Sequence, residues 1–188
     1  MNRPAPHNMY YVAIVCPTDI NEKVQQYKQW MKDRFGCLVA MKSPAHITLI
    51  PPFWFADDRE IELMKAVQSF INDSPIQKIE LDGFSHFGKR VLYVHTKDNY
   101  LLSEIKRRAE QHFIEKIGNA IKKDDRPFHP HITIANRDLK PSDFEKAWDH
   151  FSTKEFKESF ITQAIFLLRL SPGKWNVICE SPRSPLIK

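Results

Sequence analysis

The sequence predicts an α+β protein made of two halves with the same order of elements. The tripeptide His-Ile-Thr occurs twice, as His46-Ile47-Thr48 and His131-Ile132-Thr133, each in a short β-branched run preceded by proline. Each half reads strand, helix, His-x-Thr strand, helix, strand. The two tripeptides lie 85 residues apart, and the same offset carries Gly88-Lys89 onto Gly173-Lys174, the turns of two expected hairpins. A shared offset at two landmarks points to a duplicated unit with pseudo-twofold symmetry, placing equivalent strands across one cleft.

Composition narrows the class. Of 188 residues, 42% are apolar and 12% aromatic, enough for a packed interior and against disorder. A single domain of two lobes sharing one core, spanning 1–188, fits this length. The 28 Lys and Arg against 23 Asp and Glu give a net charge of +5, which suits an anionic partner such as a phosphate or a nucleic acid. Cys16, Cys37 and Cys179 are odd in number and contain no CxxC, so neither a disulfide framework nor a cysteine zinc site is indicated. The apolar run Tyr10 to Cys16 is too short to span a bilayer, and no signal-peptide pattern precedes it. A cytoplasmic monomer without a protein partner or membrane association is the expectation.

Taken in order, residues 1–8, with Pro4 and Pro6, read as a loose leader. Met9 to Pro17 reads as a buried strand. Thr18 or Asp19 caps a helix whose Ile20, Val24, Tyr27, Met31 and Phe35 recur at helical spacing, stopped by Gly36. Cys37 to Met41 is read as a short strand, and Pro44 leads into the first His-x-Thr strand. Pro51-Pro52 is expected to break that strand and leave Phe53, Trp54 and Phe55 in or near a loop. Ile61, Met64, Val67 and Ile71 mark the next helix. Ile76 to Phe87 and Arg90 to Thr96 form a hairpin turning at the glycine. From Asn99 to about Gly118 runs a long helix with Leu102, Ile105, Ala109 and Phe113 inward and Lys106-Arg107-Arg108 outward. After a charged loop, Lys122 to Pro127, comes the second His-x-Thr strand. Ser142-x-x-Glu145 reads as a capping box for a helix using Phe144, Trp148 and Phe151. Phe160 to Leu170 is read as a strand that turns at Pro172-Gly173-Lys174 into a last one, Trp175 to Glu180.

Residues i and i+2 of a strand share a face, so His46 and Thr48 point one way while Ile47 and Leu49 enter the core. The second copy repeats this. Two imidazoles facing one phosphodiester can act as base and acid, because histidine titrates near neutrality. The threonine hydroxyls can donate to the non-bridging oxygens as charge builds there. This design needs no metal or other cofactor. A single His-x-Thr is a common coincidence in a strand; two copies at equivalent places in a repeat are not.

Other readings compete. His129 and His131 are spaced as strand-borne zinc ligands sometimes are, which admits a metal-dependent hydrolase, although no third ligand suggests itself nearby. A module that binds RNA without turnover is a further alternative. Among weaker substrate contacts, Phe53, Trp54 and Phe55 could stack a base, with core packing expected for two of the three. Lys42 and Arg137 flank the two strands where either could meet a phosphate. His129 is placed at the cleft entrance. Lys106-Arg107-Arg108 reads as a solvated helix face.

The paired motifs, Pro44-Ala45-His46-Ile47-Thr48-Leu49 and Phe128-His129-Pro130-His131-Ile132-Thr133-Ile134-Ala135, resemble those of the two-histidine (2H) phosphoesterase superfamily, within it the 2′–5′ RNA ligase and cyclic phosphodiesterase group. The likeness runs from Met9 to the hairpin at Gly173-Lys174. It implies a two-lobed fold with antiparallel sheets forming a central cleft and helices on the outside. It also implies metal-independent action on 2′,3′-cyclic phosphates or 2′–5′ phosphodiesters of nucleotides or RNA ends, with hydrolysis preferred over ligation. By motif position, His46 and His131 become the acid/base pair and Thr48 and Thr133 the phosphate-binding hydroxyls. In cyclic phosphate hydrolysis the resemblance makes His131 the base toward water and His46 the acid. The family's bacterial ligases often carry a polar Glu-Asn stretch where this chain has Ser43-Pro44-Ala45, and Pro51 to Phe55 also departs from their pattern. The catalytic groups match, but the substrate need not.

Overall fold

A computed structural model describes residues 6–71, 77–162 and 164–182. In chain order its main elements are β1 (His7–Val15), α1 (Thr18–Phe35), β2 (His46–Ala56), α2 (Glu60–Gln68), β3 (Gln77–Phe87), β4 (Val91–Thr96), α3 (Tyr100–Ile117), β5 (His131–Ala135), α4 (Pro141–Ser152), β6 (Lys157–Thr162), β7 (Phe166–Ser171) and β8 (Lys174–Glu180). The strands form two antiparallel sheets, ordered β2-β1-β7-β8 and β5-β4-β3-β6. The α+β class and the paired antiparallel sheets match the expectation. Each sheet carries its His-x-Thr strand at one edge, beside the strand that opens the same half.

The halves are interleaved. Strand β3 leaves the first half to join the second sheet, and the β7–β8 hairpin returns to the first. Helix α1 packs on β5 and α3 on β2, so each half's first long helix lies against the other half's His-x-Thr strand. Strands β2 and β5 also touch one another. One continuous apolar core holds Tyr10, Val12, Ile14, Ile47 and Leu49 from the first sheet with Ile79, Leu81, Val94, Ile132 and Ile134 from the second. No helix among the described residues is long and apolar enough to cross a membrane.

Both glycine hairpins form, with φ of 54° at Gly88 and 82° at Gly173, values that favour glycine. They join different columns, however. Counting from the His-x-Thr edge, β3–β4 joins the third strand to the second, and β7–β8 joins the third to the fourth. The 85-residue register therefore matches turns, not the strands that leave them.

The largest departure from expectation is at Pro51-Pro52. Strand β2 continues through both prolines to Ala56, because it is an edge strand and the prolines sit at a register shift opposite Tyr10 to Val12. Alternation then resumes: Phe53 and Phe55 are buried, while Trp54 is 59% exposed. The lengthened β2 gives the chain start a partner. His7 and Asn8, expected in the leader, pair with Ala56 and Phe55; residues 1–5 lie outside the described part.

Smaller corrections share one cause, the choice of face or cap by neighbouring elements. Pro17 rather than Thr18 or Asp19 is the N-cap of α1, while Gly36 stops it at φ 70° as expected. Residues 37–41 form no strand; they run into a single 3-10 turn, Ala40–Lys42. Helix α2 buries Leu63, Ala66 and Val67 and exposes Ile61, and it ends at Gln68, which leaves the expected helical Ile71 beyond it and exposed. Helix α4 starts with Pro141 in its first turn and makes no side-chain cap, so the capping box is not used. The expected strand 160–170 is two strands, β6 and β7, in different sheets. Helix α3 is as read, capped by the Asn99 side chain accepting from Leu102 N at 3.2 Å, except that Lys106 is half-buried and turned toward Glu110.

Candidate active site

Alternation along β2 and β5 sets the site. Ile47 and Leu49, and likewise Ile132 and Ile134, are fully buried, which leaves His46, Thr48, His131 and Thr133 half-buried on the opposite face. These four side chains, from strands at the edges of two sheets, line one cavity of about 420 Å³ together with Tyr11, Lys28, Ser43, Asn136, Arg137 and Trp175, among others. The expectation that the two motifs face each other is met by this shared wall.

The two imidazoles are oriented in the same way. His46 Nδ1 donates to the Pro44 carbonyl at 2.8 Å and His131 Nδ1 to the His129 carbonyl at 2.7 Å, each two residues back. Because a carbonyl only accepts, both rings carry their proton on Nδ1 and keep Nε2 as a free lone pair. Ring neighbours differ. Tyr11 lies 4.8 Å from His46 and packs edge-on against Trp175, while Phe87 and Tyr93 each lie 5.0 Å from His131. The pseudo-symmetry thus ends at the neighbours: Ala13 stands across from Thr48, and Tyr93 across from Thr133.

Helix α1 fixes the approach to His46. Asn21, Gln25 and Lys28, at i, i+4 and i+7, lie along one side of the helix. Asn21 Oδ1 accepts from Ala45 N at 2.6 Å. Gln25 Nε2 and Lys28 Nζ donate to the Ser43 carbonyl at 3.2 and 2.9 Å. Asp138 does similar work on the roof, accepting from the backbone N–H of Leu38 and Val39 and so tying the first half's loop to the second's.

Electrostatics set the resting protonation. Burial pushes His46 down to about 4, with the charges of Lys28 and His131 acting in the same direction and the Pro44 bond opposing them. Burial also lowers His131, again against its backbone bond. Both rings are therefore neutral at pH 7. Lys28, 2% exposed, is pushed down to about 8 by burial and remains mostly charged. Among the described residues the buried Tyr11 hydroxyl makes no well-aligned hydrogen bond; burial drives its pKa well up, and the Ser43 hydroxyl is close enough to offset part of this.

The weaker sequence candidates separate. Arg137 lines the histidine cavity from a turn in which it adopts φ 32°, a region non-glycine residues seldom occupy. His129 lines an adjoining hollow of about 520 Å³ that shares Thr48 and His131 and includes Phe128, Lys106 and Arg126. Trp54 lines a third, of about 580 Å³, with Lys122 and Lys123. Phe53 borders that hollow but is 8% exposed and packs toward Tyr10, so most of it belongs to the core. Lys42 lies on the 3-10 turn and lines none of these hollows; Lys28 supplies the ammonium instead. Of the basic run, Lys106 reaches the second hollow, and Arg107 pairs with Glu104 on the helix surface.

Sequence reading missed Lys28, Tyr11, Asn136 and Trp175. A signal for Lys28 existed: it follows Ile20 and Val24 at i+4 steps, on the stripe that enters the core. His129 and His131 belong to no group of three or more His, Cys, Asp or Glu placed to hold a metal among the described residues.

The chain is similar to known proteins in sequence and in fold. Residues 16–174 match the profile of the 2′-5′ RNA ligase superfamily. Over 161 residues, 84% of this chain and 88% of the other, the sequence is 25% identical to "Putative phosphoesterase GWCH70_0799" of Geobacillus sp. (strain WCH70). The fold resembles that of E. coli LigT crystallised with 3′-AMP (TM-score 0.69, 16% identity, covering 96% of this chain and 100% of that one). It also resembles TT0787 of Thermus thermophilus (TM-score 0.64, 14% identity, 92% and 96%). With paired motifs, paired sheets and a profile match over most of its length, the chain belongs to the 2′-5′ RNA ligase superfamily of 2H phosphoesterases.

Proposed function

We propose that this protein is a metal-independent phosphodiesterase that acts on a 2′,3′-cyclic phosphate or a 2′–5′ phosphodiester of a nucleotide or an RNA end. The observation that carries this reading is the single cavity walled by both imidazoles, each with Nε2 free, and both threonines. The resemblance to a LigT crystallised with 3′-AMP supports a nucleotide-like ligand. The whole span 1–188 acts as one bilobal domain, since each half covers the other's catalytic strand.

In the hydrolytic direction His131 takes a proton from water as its oxygen attacks phosphorus, and His46 gives a proton to the departing ribose oxygen. Thr48 and Thr133 donate to the non-bridging oxygens as negative charge grows on them. The bond-forming direction reverses the two histidines. Because burial holds His46 neutral at pH 7, the hydrolytic direction requires its proton to arrive with the anionic substrate. Phosphate binding should therefore take up a proton, measurable by titration calorimetry in buffers of different ionisation enthalpy.

The main test is to assay purified protein against 2′,3′-cyclic nucleotides, 2′–5′ oligonucleotides and cyclic-phosphate RNA ends, with and without a chelator. The expected result is turnover of at least one class, indifferent to chelator and lost in both His46→Ala and His131→Ala. Full turnover by either variant overturns the proposal. Salt-dependent RNA binding with no product from any substrate would make the protein a binding module instead.

A further inference from the structure

The catalytic cavity holds a buried cation that acid/base chemistry leaves without a task. Lys28 is 2% exposed, and among the described residues its one polar partner is the Ser43 carbonyl. An ammonium has three N–H donors, so two remain. A buried charge without a counter-ion is costly and persists where something compensates for it. Among the described residues no carboxylate lines this cavity. The Cys16 thiol, whose charge would interact with Lys28, is pushed up to about 12 by burial and is neutral at pH 7. The Tyr11 hydroxyl, buried on the same wall, also forms no well-aligned hydrogen bond among the described residues and can donate to an oxygen there. The pole of the cavity around His46 is thus built for a polar, anionic occupant that the folded chain does not itself provide.

Resting on the phosphodiesterase reading, we infer that Lys28 is a phosphate-contacting catalytic residue, pinned by the Ser43 carbonyl and directing its free N–H donors to a non-bridging oxygen beside His46. Charge balance favours the transition state over the substrate. His46 gains a proton with the substrate and gives it up to the leaving oxygen, so Lys28 and Arg137 are the two cations lining the cavity whose charge stays fixed through the reaction. A phosphodiester carries one negative charge; as the attacking oxygen bonds to phosphorus and before the ribose oxygen leaves, the phosphoryl oxygens approach two. A fixed cation that matches the second charge acts mainly on kcat. Lys28 transfers no proton; those stay with His131 and His46.

The test uses three variants. Lys28→Met removes the charge and keeps the volume. Lys28→Gln keeps a donor for the Ser43 carbonyl without the charge. Lys28→Arg keeps a charge. The expected result is that Met and Gln lower kcat by about 10²-fold with a smaller change in KM, and that Arg recovers part of the loss. Binding of inorganic phosphate, measured by calorimetry, should weaken about tenfold in Met and Gln relative to wild type. If Gln matches wild type in both readouts, Lys28 only positions the loop before His46 and the inference fails. Wild-type kcat and phosphate affinity in Met overturn it as well. If no phosphodiester is turned over by the wild type, the functional reading fails, and the phosphate titration still decides whether Lys28 binds the anion.

Discussion

His46 gives its Nδ1 proton to the Pro44 carbonyl 2.8 Å away, and His131 repeats the bond with the carbonyl of His129 at 2.7 Å. A backbone acceptor two residues back sets tautomer and ring direction together, leaving Nε2 toward the cavity in both halves. Alanine at either position should lower kcat by about 10²- to 10⁴-fold, the usual range for a general acid or base. Circular dichroism should remain unchanged, because neither ring is part of the core. Steady-state kinetics on the best substrate from the screen provides the measurement.

The lowered pKa of His46 also makes a prediction about stability. Its folded value of about 4 lies below imidazole's ordinary 6.5, so the folded state prefers the neutral ring. The contribution is complete above pH 6.5 and is lost as pH falls toward 4, up to about 3 kcal/mol. Lys28 has the same sign at the other end of the scale: the folded state prefers the neutral amine, so stability should rise by about 3 kcal/mol between its folded value of about 8 and 10.5. Urea denaturation across pH should show both slopes. His46→Gln should flatten the acid one, and Lys28→Met the alkaline one while raising stability at pH 7.

Phe53 and Trp54 are neighbours with opposite roles. Phe53→Ala opens a hole beside Tyr10 and should cost about 3–5 kcal/mol. Trp54→Ala, on an exposed ring, should change stability by about 0.5 kcal/mol or less. If Trp54 stacks a base, the same variant raises KM for a 2′–5′ oligonucleotide by about 5- to 150-fold, equivalent to about 1–3 kcal/mol. Thermal melts and oligonucleotide kinetics separate the two.

Asn21 tests the support beneath the site. Its Oδ1 accepts from Ala45 N, one residue before His46, and Asn21→Ala strands that N–H in a buried place. The expected cost is about 1–3 kcal/mol. Activity should fall as well, since the segment that orients His46 loses one of its ties to α1. A variant with lower stability but wild-type kcat would show that Gln25 and Lys28 hold the segment unaided.

Much of the site was legible because its signals are local. Strand alternation alone put His46 beside Thr48 and His131 beside Thr133, with Ile47, Leu49, Ile132 and Ile134 inward. Gly36, Asn99 and the two hairpin glycines marked ends and turns through backbone conformation, which belongs to the residue itself. Misreadings came where a neighbour decides. Pro51-Pro52 ends a central strand but not an edge strand at a bulge. Ile61 suits a helix's inner face until α3 and β8 select Leu63, Ala66 and Val67 instead.

That two imidazole–hydroxyl pairs lie on two strands follows from local sequence, because side-chain direction in a strand has a period of two. What surrounds them follows from packing between distant segments. The exchange of β3 and the β7–β8 hairpin between sheets brings Trp175 to the first half's site and Phe87 to the second's. The packing of α1 on β5 draws Lys28 into the cavity beside His46. Both depend on contacts between residues far apart in the chain, which no local periodicity encodes.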